Sequence, residues 1–398
     1  MPVSFLARSL AKVATSLSRF FRHRLALATG LTFAADSLMF GSWVAHIPHV
    51  KTSLGMDDAE LGLALFGMPI GLLAMNPVSP GFIARFGLAR TTIGGTVAMA
   101  VSFALPIWMP GRWTLMAALA LVGAAVAVVN VAMNTCATNI ERAEGVYIMS
   151  TCHGMWSLGG MVGSGTAAAL IASGVSPEIH LSVLAGLVIL ATMIRLKPAL
   201  LQVPEGERSA EGSGSKFAFP NRDLLLMIFI GLTVSLSEGV AFDWSAVYLR
   251  DALGARAQIA ALGFTCFSLT MMAMRFTGDV LIPRFGERNM LYFSALFTAF
   301  ALTAVIVSPN SLSGIIGFLL LGAAVALGAP ILFNAAARVP GLAPGAGLAT
   351  YATFSFIGFL AGPPVIGFIG EKFGLHTGFA MVAALALMSL AAIRRVRL

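Results

Sequence analysis

Asp36 lies in the middle of the apolar stretch 25–46, and Met39, Phe40 and Trp43 follow it at i+3, i+4 and i+7. On a helix that spacing puts the four side chains on one face. A carboxylate there reads either as a hydrogen-bonded structural group or as a titratable group lining a polar cavity. Burial favours the neutral form of a carboxylic acid, so a carboxylate at membrane depth is suited to taking up and releasing a proton. Glu238 and Asp243 pose the same choice in the stretch 224–248. On a regular α-helix five residues turn them about 140° apart, so only one is expected to face a narrow cavity. Proton coupling is therefore assigned to Asp36 and Glu238. Asn130 and Asn134 stand one turn apart, and His153 is followed on its helical face by Trp156 and Ser157. Amide and imidazole donors beside an aromatic plate suit a hydroxylated molecule, whereas bonding between helices is the structural alternative. The expected substrate-lining set is Asp36, Phe40, Trp43, Asn130, Asn134, His153, Trp156, Glu238, Asp243, Trp244, Asn334 and Tyr351.

The elements that must position these groups follow from composition. Of 398 residues 58% are apolar and 11% charged, and mean hydropathy is +0.89; a soluble domain of that composition could not cover its surface. Apolar runs long enough to cross a bilayer recur along the chain, without the short alternation of a barrel. Twelve helices are expected, near 25–46, 60–82, 91–109, 113–139, 149–173, 179–195, 224–248, 258–282, 289–308, 312–335, 347–370 and 375–394. With both termini cytoplasmic, nineteen Lys and Arg fall on the cytoplasmic side and five on the other, the bias that sets orientation in membranes. Trp43, Trp108, Trp113 and Trp244 are then expected at the outer interface. Residues 1–24 read as an amphipathic cytoplasmic segment and 196–223 as a cytoplasmic linker between halves at 25–195 and 224–398. The net charge of +8 serves topology; it is not clustered as nucleic-acid binding requires. Cys136, Cys152 and Cys266 have no metal-like spacing, and Asp57-Asp58-Ala59-Glu60 reads as a helix cap. No metal, cofactor or catalytic motif is present, so an enzyme is not expected.

The chain also repeats itself. Gly123 to Ala127 and Gly322 to Ala326 both read GAAVA; Arg85-Phe86-Gly87 returns as Arg284-Phe285-Gly286, and Gly159/Gly163 as Gly358/Gly362, all at an offset of 199. Gly30-Leu31-Thr32 and Trp43 return as Gly231-Leu232-Thr233 and Trp244 at 201, aligning Asp36 with Ser237. Two six-helix copies in parallel topology are the architecture of one class of secondary transporter.

Both Arg-Phe-Gly loops resemble the Gly/Asp/Arg-rich signature of the major facilitator superfamily. The second copy is Gly278-Asp279 to Arg284-Phe285-Gly286, and the first lacks the acidic residue before Arg85. The resemblance implies a gating role for Arg85, Arg275, Asp279 and Arg284, with Arg275 and Asp279 paired four residues apart on one face. The stretch NVAMNTCATNIERAEGVYIMSTCHGMWSLGGMVG, Asn130 to Gly163, is similar to the MosC-like branch. The resemblance implies an all-α membrane fold of two pseudo-symmetric six-helix bundles around a midplane site, in a bacterial inner membrane. It also implies a monomeric carrier that moves a small polar solute, sugar-like or otherwise hydroxylated, by alternating access with protons as coupling ion. Export of amphipathic drugs or metabolites is the alternative, and a non-transporting sensor the more distant one.

Overall fold

The computed structural model describes residues 17–205, 220–339 and 346–397. Most of the segment 1–24 and much of the linker 196–223 lie outside the described residues. Among the described residues there is no strand, and twelve helices are long and apolar enough to cross a bilayer. They are α1 Arg24–Ser53, α2 Asp58–Met75, α3 Leu88–Trp108, α4 Arg112–Glu144, α5 Met149–Ala172, α6 Pro177–Leu200, α7 Arg222–Asp251, α8 Ala257–Gly278, α9 Glu287–Ile306, α10 Ser311–Ala337, α11 Thr350–Phe373 and α12 Leu375–Arg395. In a bilayer such helices satisfy every backbone polar group internally.

Two expected spans change most. α1 runs on to Ser53, and α2 stops at Met75, where Pro77 and Pro80 interrupt the ladder before a separate short helix, Ser79–Phe86. The cap expected at the start of α2 forms: Asp57 Oδ1 accepts from the Glu60 N–H at 2.7 Å while Glu60 reaches back to the Asp57 N–H. The two Arg-Phe-Gly turns take the same local form. Gly87 (φ 84°, ψ 157°) and Gly286 (φ 80°, ψ 150°) each end one helix and begin the next, in a backbone region open almost only to glycine. In each, the arginine lies over the ring of the phenylalanine that follows it in sequence, 5.4 Å from the ring centre.

By its contacts the chain groups into two compact units. One holds residues up to Trp43, Gly67–Gly206 and Arg275–Val280; the other holds Val44–Phe66, Glu207–Met274 and Leu281–Leu398. The division falls inside α1, α2 and α8, so it differs from the expected halves at 25–195 and 224–398. In the first unit α2 crosses α4 where Gly67, Gly71 and Gly123 let backbones touch. A Cβ on Gly71 would overlap the Ala120 carbonyl, and one on Gly123 the Met68 carbonyl. In the second unit α8 crosses α10 in the same register, with Gly322 against the Phe267 carbonyl. Thr270 takes the place of Gly71 there, and its hydroxyl donates to the Leu319 carbonyl at 2.6 Å. The repeated GAAVA is thus the crossing point of each copy.

Trp108 and Trp113 are exposed, as an interfacial position requires. Trp43 and Trp244 are not: both are fully buried, because each faces neighbouring helices where the hydropathy pattern shows only an apolar stretch.

Gly123→Ala is expected to destabilise the protein by about 1–3 kcal/mol through overpacking against backbone, seen as a lower unfolding temperature in detergent. Gly94→Ala, where a Cβ meets open space, is expected to leave that temperature unchanged or higher. Equal losses in the two variants would contradict the crossing-point role.

Candidate functional site

On α1 the residues Phe33, Asp36, Ser37, Phe40 and Gly41 form one stripe, and on α5 the residues His153, Trp156, Ser157 and Gly160 form another; both follow the i, i+3, i+4 spacing of a helix face. The stripes lie together in the first unit. A Cβ on Gly41 would overlap the Gly160 carbonyl, and Cβ atoms on Gly159 and Gly163 would overlap the carbonyls of Ala34 and Leu38. Small residues therefore bring the backbones close enough for the polar side chains between them to meet.

Asp36 is 4% exposed. Its Oδ2 accepts a hydrogen bond from Trp156 Nε1 at 2.9 Å. The Ser37 hydroxyl donates to the Trp156 carbonyl, which holds the same turn of α5 from the other side. Phe40 stacks on the Trp156 ring with centroids 6.2 Å apart, and Phe33 sits edge-on to His153 at 5.3 Å. The result is a buried carboxylate with one indole donor, flanked by aromatic faces. Such a group can hold a proton, or accept from a hydroxyl, at little geometric cost.

Arg275 modifies the expected gate. Its Nη1 donates to Ser157 Oγ at 3.1 Å, so it reaches α5 across the helix interface, and His153 lies within its field. A Cβ on Gly154 would overlap the Phe276 ring, which fits α8 closely against α5 beside the acidic site. The Asp279 side chain lies outside the described residues. Arg85 and Arg284 are exposed on their turns. Ser37 is the residue that reading the sequence passed over; its signal is adjacency to Asp36 on a helix face.

In the second unit α7 packs on α11. Gly358 meets the Leu232 carbonyl at 3.0 Å and Gly362 meets Leu236 at 3.6 Å from the position of an added Cβ. Leu232 and Leu236 therefore stand where Ala34 and Leu38 stand in the first copy, an offset of 198. This corrects the alignment of Asp36 with Ser237: in packing register Asp36 corresponds to Val234, and Glu238 to Phe40. Ser237 lies instead beside a small pocket between α7, α9 and α12, where the hydroxyl residues Thr233, Ser294, Thr298 and Ser389 mix with apolar ones such as Ile230, Val234 and Leu291. Glu238 is half-buried and lies within electrostatic reach of Tyr351, which is fully buried with its ring edge-on to Phe333 at 5.1 Å. The Tyr351 and Ser355 hydroxyls flank Gly231, where a Cβ would come within 2.5 and 2.8 Å of them.

The geometry of Asp243 also differs from expectation. Val240–Trp244 is a π-helical turn, so the separation of about 140° from Glu238 calculated for a regular helix does not apply. A turn closed by i to i+5 hydrogen bonds brings residues five apart nearer to one face. Asn134 spends its amide within α4, donating to the Asn130 carbonyl at 2.8 Å and side-chain oxygen at 3.2 Å. Asn334 is exposed, and its carbonyl accepts from Arg338. Of the candidate set, Phe40 and Trp156 assemble around Asp36, Glu238 lies near Tyr351, and Asn130 and Asn134 bond along their own helix.

The family profile of the Major Facilitator Superfamily matches residues 25–248 and 224–397. An uncharacterized MFS-type transporter of Yersinia pestis is 31% identical over 93% of this chain and 95% of its own length. Membrane protein MosC of Rhizobium meliloti is 29% identical over 91% of this chain and 87% of its own. Among solved structures, the nucleoside transporter NupG (D323A mutant) superposes with a TM-score of 0.75 at 14% identity, covering 93% of this chain and 99% of that one. A D-xylose-proton symporter gives 0.74 at 12%, covering 93% and 98%. Likeness at that identity shows the fold alone. The family match, the relatives and the duplicated helix crossings agree: the chain belongs to the major facilitator superfamily, as a multi-pass membrane protein of the secondary transporter class rather than an enzyme.

Proposed function

We propose that this protein moves a small hydroxylated solute across the bacterial inner membrane by proton-coupled alternating access, with both termini in the cytoplasm. The observation that carries the reading is the buried Asp36 carboxylate held by the Trp156 indole. An ionised group at membrane depth costs about 2.5–3.5 kcal/mol on insertion scales. A group retained at that cost with a single donor is placed to exchange a proton, and the Phe40 and Trp156 rings beside it suit the apolar face of a sugar-like ring. Glu238, beside Tyr351, is assigned a secondary role in coupling. The D-xylose-proton symporter and the nucleoside transporter share the fold, and their cargoes are compatible with a hydroxylated ligand. The inner-membrane orientation is supported by the nineteen-to-five distribution of basic residues.

Asp36→Asn, which mimics the protonated carboxyl, is expected to abolish accumulation driven by a pH gradient in proteoliposomes while sparing counterflow exchange. Continued accumulation in that variant would remove Asp36 from coupling, and accumulation that follows sodium and ignores pH would remove the proton.

Trp156→Phe keeps an aromatic face towards Phe40 but takes away the donor to Asp36. It is expected to lower stability by about 1–3 kcal/mol, the cost of an unpaired buried acceptor, measured by thermal unfolding in detergent. A variant as stable as wild type would show that the indole bond contributes little.

In a thermal-shift screen, sugars and polyols are expected to raise the unfolding temperature of the purified protein by mass action. A rise with amphipathic drugs alone would replace the hydroxylated-solute reading with export of amphipathic compounds.

A further inference from the structure

Lys51, near the end of α1, is clamped between two carboxylates from different helices. Its Nζ donates to Asp251 Oδ2, at the end of α7, at 2.6 Å. The same ammonium forms an ion pair with Asp58 Oδ1, in the first turn of α2, at 2.6 Å. Lys51 and Asp58 are each 15% exposed in their side chains, Asp251 38%, so solvent screens the cluster only in part.

Backbone contacts lie directly around this cluster. The Asp58 N–H donates to Glu371 Oε2, near the end of α11, at 3.2 Å. A Cβ on Gly367 would come within 2.5 Å of the Asp58 carbonyl, and one on Gly62 within 2.5 Å of the Pro363 carbonyl. The start of α2 and the end of α11 therefore meet backbone to backbone, and the ammonium ties the ends of α1 and α7 to them. All these residues belong to the second unit.

We propose that Lys51, Asp58 and Asp251 are the outer gate of the carrier: the ammonium holds the ends of α1, α2 and α7 together while the outside is closed, and releases Asp251 when the outside opens. The placement on the outer side rests on the orientation proposed above. Asp58 keeps a partner for Lys51 after release, so opening does not strand a half-buried cation, which would be costly.

The test uses the full-length protein in nanodiscs, with its cysteines replaced and spin labels on cysteines introduced at Ser53 and Leu253, read by electron paramagnetic resonance. Wild type is expected to show mainly the short distance. Lys51→Met is expected to raise the long-distance population at least about fivefold, Asp251→Asn to raise it less, and Lys51→Arg to leave it near wild type. An unchanged distribution in both Lys51→Met and Asp251→Asn would overturn the gate; Asp251→Asn retains the Lys51 and Asp58 pair, so the test survives misfolding of the first variant. Labelling of the Ser53→Cys variant in cells by a membrane-impermeant thiol reagent is expected from outside, and labelling from the cytoplasmic face alone would overturn the outer assignment. Neither readout involves a substrate, so failure of the hydroxylated-solute reading leaves the gate result standing.

Discussion

Inside a bilayer, helices are not pressed together by water, and close association depends on how near two backbones can come. Glycine sets that distance here. Gly67, Gly71 and Gly123 let α2 and α4 cross in contact, and Gly41, Gly159, Gly160 and Gly163 do the same for α1 and α5. The contact between α1 and α5 has chemical consequences. With larger residues at those positions, the Trp156 indole would stand too far from Asp36 to donate to it, and a carboxylate at that depth would have no partner within reach. The small residues that build the bundle thereby also build the site.

Duplication supplied the scaffold twice, and the copies then diverged in chemistry. The crossing of α2 with α4 and that of α8 with α10 share one register, with a glycine against a carbonyl in each. A hydrogen bond from Thr270 replaces a bare glycine contact in the second. The pairs α1 with α5 and α7 with α11 also share a register, yet Trp156 in one corresponds to Ser355 in the other, and Phe40 to Glu238. Asp36 has no acidic counterpart in packing register. One copy therefore presents a carboxylate under an aromatic plate, and the other a carboxylate near a tyrosine.

Several helices also depart from regular geometry. α7 carries a π turn at Val240–Trp244, α2 is broken at Phe66, and prolines end α2 and run through α11. A π turn adds a residue without lengthening the ladder in proportion, so it redirects every side chain after it. Trp244, the last residue of this turn, is fully buried.

The sequence by itself determined the membrane class, the twelve spans, the duplication and the superfamily, because each depends on local apolar length, charge asymmetry or repetition, all readable along a chain. It also placed Asp36, Phe40 and Trp156 among the candidates, since helical periodicity puts them on their faces. Only the tertiary structure decided which candidates meet. The pairing of Asp36 with Trp156, the reach of Arg275 to Ser157, the internal bonding of Asn134 and the ion cluster at Lys51 all join residues through the register of one helix on another. That register depends on backbone approach at particular glycines and on the π turn in α7. Residue identities align the first and seventh helices at an offset of 201, whereas packing aligns them at 198; three residues are most of a helical turn, enough to change which neighbour a side chain faces.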